Sequence, residues 1–318
     1  MEVLLERSDV DPNLVDEFGR TPLSLAVQCN REGIVRILLK RSDVDPSPVD
    51  RRGRTPLSQA VESKHERIVR ILLERSDVDP NAADGCGRTP LSLAANSGNK
   101  AIVGILLGRT DVNPNVADGR GRTPLSLAVG NGHEKVVGIL LGRKDVNPNT
   151  VDEGGRTPLS LAARSGREGL VSTLLGRANP NTANEDGRTP LSLAAGSGHE
   201  GVVRILRGRK DVNPEQADKY GRTPLSWAAR NGHGGIIRTL LERNSVNPGM
   251  ADKYGRTPLL QAAENGHGGV VEVLLRRGDV DPNAADGRGR TPLSLAAKSG
   301  HEGVEDTART EQRQPQHS

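Results

Sequence analysis

Aromatic residues are almost missing from this chain of 318 residues, which carries only Phe18, Tyr220, Trp227 and Tyr254. A mixed globular domain of that length relies on buried rings to fill a broad core, so one large core is excluded. Cysteine is nearly absent as well. Cys29 and Cys86 are too few for a disulfide framework, and two free thiols point to a reducing compartment, cytoplasm or nucleus. No apolar run is long enough to span a bilayer, and acidic residues near Met1 do not read as a secretory leader. Asn-x-Ser/Thr acceptor sites are missing too. Charge of one sign never accumulates: 44 basic and 40 acidic residues are interspersed, the pattern of a solvated surface rather than a polybasic tract.

What the chain does have is a period. The string Gly-Arg-Thr-Pro-Leu begins at Gly19, Gly53, Gly87, Gly121, Gly155, Gly187, Gly221, Gly255 and Gly289, in steps of 34, 34, 34, 34, 32, 34, 34 and 34 residues. The short step falls where Leu-Leu-Gly-Arg-Ala-Asn-Pro-Asn (174–181) stands for the longer Leu-Leu-Gly-Arg-Lys-Asp-Val-Asn-Pro-Asn (140–149), and the register recovers at once. A two-residue loop deletion between intact units explains this. The 38 glycines and 20 prolines recur in register, so they are punctuation and not low complexity.

One unit, Asp118 to Asn149, can be read physically. Asp118-Gly119-Arg120-Gly121 is a turn in which Gly takes backbone angles denied to other residues. Thr123 is an N-cap and Pro124 occupies the first helical position, where its missing N–H is harmless. Leu125, Leu127, Ala128 and Val129 form the apolar side of a short helix that Gly132 ends in a left-handed C-cap. His133 and Glu134 open a second helix with Val136, Val137, Ile139, Leu140 and Leu141 on its apolar face. Gly142 to Asn149 runs out as a loop, and Pro148 blocks further helix. Two short helices cannot bury their faces alone, so units must stack.

The pattern Thr-Pro-Leu-Ser-Leu-Ala-Ala, then Gly-His-Glu/Gly-Gly-Val-Val, Leu-Leu and Asp-Val-Asn/Asp-Pro-Asn resembles the ankyrin repeat over residues 1–304. The resemblance implies an all-α solenoid of about nine helix-turn-helix repeats with projecting turn fingers. A partial unit covers 1–15, and units begin near 16, 50, 84, 118, 152, 184, 218, 252 and 286. Residues 305–318 are expected to be a polar, disordered tail. Ser24, Ser58, Ser92, Ser126, Ser160, Ser192, Ser226 and Ser294 stand where the family usually has His, with Leu260 the exception, and the period exceeds the common 33 by one. This Ser variant is similar to long arrays of filamentous fungi that often follow a nucleotide-switch domain.

Residues 4–12 recur as 72–80, so the chain is expected to start inside a second helix, and Glu305-Asp306-Thr307-Ala308-Arg309 replaces the apolar face of the last one. Stacked repeats need polar caps, and the expectation is a fragment of a longer array. Asn30 and Lys64 occupy a C-cap position that is Gly in the other seven units. Lys tolerates the left-handed conformation poorly, so the first two units are expected to fray before the middle.

Arg20, Arg54, Arg88, Arg122, Arg156, Arg188, Arg222, Arg256 and Arg290 follow the turn Gly in every unit. Either they form a ridge for an acidic or phosphate-bearing surface, or each pairs with a turn Asp of its own or an adjacent unit, the simpler reading. His133, His199, His233, His267 and His301 recur at one position but lie too far apart for one metal ion, and read as caps of second helices. Cys29 and Cys86 lie about two layers, on the order of 20 Å, apart at ordinary helix spacing, beyond disulfide reach. No catalytic set recurs with its members placed together, and turns such as Gly119-Arg120-Gly121 lack the residues of a phosphate loop. A non-enzyme without cofactor or metal is expected.

Tyr220 and Tyr254 share the turn tip of two adjacent units within identical Ala-Asp-Lys-Tyr-Gly-Arg-Thr-Pro-Leu strings, and Trp227 replaces the Leu of six other units. Tyr, Trp and Arg most often anchor interfaces. Tyr220, Arg222, Trp227, Tyr254 and Arg256 are therefore the candidate partner-binding residues of a monomeric protein-interaction scaffold. The resemblance implies binding on fingers and the concave helix face. Two other functions are expected to compete: the sensing array of a larger NTP-switch protein, and nucleic-acid binding through the Arg ridge.

Overall fold

A computed structural model describes residues 7, 9–242 and 245–301. The expected helical start at residues 4–6, the second helix after His301 and the tail 305–318 lie outside the described residues. Among those described, seventeen α-helices occur and no strand. The chain divides into two compact units, 1–153 and 154–318. The first holds α1 (Pro22–Gln28), α2 (Glu32–Leu39), α3 (Pro56–Glu62), α4 (Glu66–Leu73), α5 (Pro90–Asn96), α6 (Lys100–Leu107), α7 (Pro124–Asn131) and α8 (Glu134–Gly142). The second holds α9 (Pro158–Arg164), α10 (Glu168–Leu174), α11 (Pro190–Ser197), α12 (Glu200–Arg207), α13 (Pro224–Arg230), α14 (Gly234–Leu241), α15 (Pro258–Glu264), α16 (Gly268–Leu275) and α17 (Pro292–Ser299). Within each unit, the first helix of a repeat packs on the first helices beside it and the second on the second.

The helices begin where the chemistry dictates. Thr123 is extended at φ −81° and ψ 164°, and its Oγ1 accepts the Ser126 N–H at 3.3 Å. The Ser126 hydroxyl in turn donates to the Thr123 carbonyl at 2.9 Å. This explains how Ser serves at a position that is usually His: the side chain is buried with its hydroxyl bonded inside its own turn. Removing such a cap costs about 1 kcal/mol.

Leu125, Ala128, Val129, Val136, Val137 and Leu140 are buried, whereas Ile139 and Leu141 of the expected apolar face are half-buried. One core residue sits outside the helices. Val146 of the loop is buried, as are Val44, Val78, Val112, Val212, Val246 and Val280 at the same step of their repeats. In the shortened repeat Ala178 takes that place, just after α10, so the deletion removes loop and not core.

Two ladders tie neighbouring repeats. Asn81 Nδ2 donates to the Asp111 carbonyl at 2.7 Å while its Oδ1 accepts the Asn113 N–H at 2.8 Å, and Asn13, Asn115 and Asn181 repeat this. At seven successive finger junctions, from Gly85 N on the Arg52 carbonyl to Gly287 N on that of Tyr254, one backbone bond joins tip to tip, as from Lys253 N to the Tyr220 carbonyl at 2.9 Å.

The recurring histidines correct an expectation. His133 does occupy the N-cap position of α8, but its ring makes no capping bond there. Its Nε2 instead meets the Asn96 carbonyl of the preceding repeat at 3.1 Å, and His199, His267 and His301 do likewise with Arg164, Arg230 and Glu264. The ring lies so close over Gly98 that a Cβ there would come 2.6 Å from Nδ1. Gly98 is thus required twice, by its φ of +71° and by its neighbour's imidazole. Asn30 and Lys64 hold the same left-handed conformation, with φ of 55° and 61°, as the C-cap position demands.

Candidate functional site

The site is built on the turn Asp. In the repeat beginning at Asp218, Oδ1 accepts the Tyr220 and Arg222 N–H groups at 2.8 and 2.9 Å. Oδ2 accepts Arg222 Nε at 3.0 Å and Trp227 Nε1 at 3.1 Å. A single buried carboxylate therefore aims the tip, the arginine and the first helix at once. Asp252 repeats the scheme with Tyr254 and Arg256, and Gln261 Nε2, at the Trp227 position, donates to its Oδ2 at 3.3 Å. Gln59 does the same with Asp50.

The same pairing recurs along the arginine column. Arg20, Arg54, Arg88, Arg122, Arg222, Arg256 and Arg290 each pair with the turn Asp of their own repeat. Burial works against ionisation of Asp50, Asp84 and Asp118, yet the arginine and two backbone N–H groups outweigh it and hold each carboxyl below its ordinary value. The Arg290 guanidinium and the Arg290 backbone N–H bring Asp286 down to about 2.

Four of the five residues singled out by sequence are brought together. Tyr220, Arg222, Tyr254 and Arg256 line one cleft of about 690 Å³ with Lys253 and Arg288. Both tyrosines are exposed, at 46% and 56%. Each lies under the arginine of its own turn, with Arg222 4.6 Å from the Tyr220 centroid and Arg256 5.0 Å from that of Tyr254. Phe18 and Arg20 form the same pair, at 4.8 Å, in the other unit. The cleft carboxylate, Asp286, is committed to Arg290, whereas Lys253 and Arg288 have no ion pair among the described residues.

The fifth residue, Trp227, does not line the cleft. It stands beside it, half-buried on α13, between Arg222 at 4.0 Å and Arg188 at 3.9 Å from the ring centroid. Arg222 touches both Tyr220 and Trp227 and so joins the sandwich to the cleft. Cation–π contacts of this kind contribute about 0.5–2 kcal/mol each. Arg188 was not singled out by sequence, although a signal existed: Asn184 is the one uncharged residue among nine turn positions that are otherwise Asp.

A stack of paired short helices, with turns that project side chains and no enclosed cavity at the cleft, defines a repeat scaffold whose working parts are surfaces. The family described as "Ankyrin repeats (3 copies)" matches residues 1–84, 76–152, 159–249 and 244–306, so the chain belongs to the ankyrin-repeat family. Members of this family are generally protein–protein interaction modules and typically non-catalytic. No curated protein sequence matches the chain. Among the described residues no cluster of His, Cys, Asp or Glu could hold a metal ion, and no helix is long and apolar enough to cross a membrane. Cys29 and Cys86 are free and exposed.

Proposed function

We propose that this protein is a non-catalytic scaffold that binds a partner protein on the fingers and first helices from Tyr220 to Arg256. One observation carries the reading: two exposed tyrosines on neighbouring tips, each held under its own arginine, share a cleft with the uncommitted cations Lys253 and Arg288. Held rings lose little conformational freedom on binding, which is why Tyr and Arg anchor interfaces. The scaffold acts as a monomer in the cytoplasm or nucleus, where its two free thiols are at home. A sensing array of a larger NTP-switch protein would use the same surface. Nucleic-acid binding through the Arg ridge is disfavoured, because seven of its nine members are already paired within their own turns.

The test is proximity labelling in cells with the wild-type protein, the Tyr220→Ala/Tyr254→Ala double variant and a Phe18→Ala control. Partners lost only from the double variant support the reading. Identical partners in all three samples remove this surface as the binding site.

A further inference from the structure

The cleft has a neighbour with an unanswered charge. In the repeat that starts at 184, Asn184 replaces the turn Asp, yet Arg188 is retained. Asn184 keeps the backbone half of the role, since Oδ1 accepts the Asp186 and Arg188 N–H groups at 3.1 and 2.9 Å. It cannot perform the other half, because its second polar atom is an N–H donor and not a carboxylate oxygen. The consequence is visible at the guanidinium. Arg188 Nε is buried without a hydrogen-bond partner, and Nη2 reaches only the Ser192 carbonyl at 3.3 Å. Arg188 has no ion pair among the described residues, whereas the corresponding arginines of seven other repeats do. Leaving a charged donor unmet in a half-buried place is unfavourable, and burial lowers the pKa of Arg188 accordingly.

The surroundings do not repair the deficit. Arg222 and Arg164 act against Arg188, while Asp218 and Asp186 act for it, so these five groups carry one net positive charge. Asp218 is already shared by Arg222 and Trp227. At the end of the first helix, Glu62 and Glu264 pair with Arg54 and Arg256 in their own repeats, but here the equivalent residue, one short of the helix end, is Gly196. A Cβ at Gly196 would come 2.8 Å from Arg188 Nη2 and 3.5 Å from Trp227 Cβ, so the absent side chain is what admits the stacked guanidinium.

We propose that Arg188, stacked on Trp227, is the docking point for a carboxylate of an acidic segment of the partner protein. The inference rests on the tyrosine cleft as the partner surface and names the chemistry of what binds beside it. The incoming Asp or Glu would answer the charge that Asn184 leaves without an ion pair, at a half-buried guanidinium held in place by the indole and fitted for carboxylate recognition. Arg222, which spans Trp227 and Tyr220, would make that contact continuous with the cleft.

Trp227 is the single tryptophan of the chain, so its emission reports on this site alone. The experiment titrates the full chain with a hexaglutamate peptide and, separately, with an oligothymidylate of equal charge. The expected result is a saturable change in emission with the peptide, weakened about tenfold, or about 1.4 kcal/mol, in both Asn184→Asp and Gly196→Glu. Either substitution places a carboxylate within the repeat, and unchanged circular dichroism shows that the fold is retained. A lack of saturable change in the wild type, equal affinity in Asn184→Asp, or tighter binding of the oligothymidylate would overturn the proposal. The two readings fail separately. Partner labelling that is lost with the tyrosines but kept in Asn184→Asp leaves the cleft standing and removes Arg188. Peptide binding weakened by Asn184→Asp, with labelling untouched by the tyrosine pair, does the reverse.

Discussion

The repeats around Glu62 and those around Trp227 share one backbone frame and use it oppositely. In the first region, Glu62 Oε2 bonds Arg54 Nη1 at 2.9 Å and its Oε1 lies 3.4 Å from Arg88 Nη2. Both arginines also have their turn partners, Asp50 and Asp84, so three carboxylates enclose two guanidiniums. In the second region the Glu62 position is Arg164, Gly196 and Arg230 in successive repeats, one turn Asp has become Asn184, and an indole lies between two guanidiniums. The fold tolerates either arrangement because the helices are set by Thr caps, Gly turns and small aliphatic residues that both regions keep. The charge pattern of the fingers thus varies in two columns, the turn Asp and the residue at or next to the end of the first helix, without touching the apolar core.

Acid should have the largest effect, because it strikes turn carboxylates in both units of the chain. The carboxyls of Asp50, Asp84, Asp118 and Asp286 sit below their ordinary values when folded. Groups shifted down contribute stability that is complete above the unfolded value near ~4 and is lost as pH falls through the folded one. Urea midpoints should therefore be flat above about pH 4 and fall steadily towards about 2, the value reached by Asp286. A midpoint that stays constant across that window would show that the turn carboxylates do not hold the fingers. Asp218→Ala concentrates the same loss at one place. It strands two backbone N–H groups, Arg222 Nε and the indole N–H, and should destabilise its unit by about 3–5 kcal/mol, measured by urea denaturation.

Exchanging the column residue sharpens the contrast. Gly196→Glu imports the closed arrangement into the Trp227 region and should change stability by no more than about 1 kcal/mol. Glu62→Gln opens the other region at similar magnitude, without creating a response to acidic peptide there, since no indole or unpaired turn arginine accompanies it. Thermal melts check both; the hexaglutamate titration read at Trp227 checks Gly196→Glu, and an unchanged calorimetric stoichiometry for the same peptide checks Glu62→Gln. An effect of like size and opposite in sign to most is expected of Lys64→Gly, which relieves a left-handed Lys at φ 61° and should stabilise by about 1 kcal/mol in urea.

Much of this was legible in the residues. Thr-Pro starts, Gly stops and the 34-residue step define the helices without coordinates, and the simpler reading of the arginines holds at seven turns. Val146 escaped because a lone Val among loop polars has no helical period, and only the neighbouring layers bury it. The imidazole of His133 escaped because its partner, the Asn96 carbonyl, belongs to another repeat. Within the site, sequence reasoning weighed which residues were unusual and large. Arg188 was unremarkable in type. Its significance lies in what its turn had lost, an aspartate replaced by an amide of nearly the same shape, and that loss shows only when each arginine is matched to its acceptor.

The most direct measurement is partner labelling with Tyr220→Ala/Tyr254→Ala and with Phe18→Ala, performed side by side. The three rings occupy the same tip position, and each is stacked under its own turn arginine. Loss of the partner with the tyrosine pair, and none with Phe18→Ala, is what the open, cation-rich region predicts. Equal recovery from both variants, or loss through Phe18→Ala alone, would contradict it.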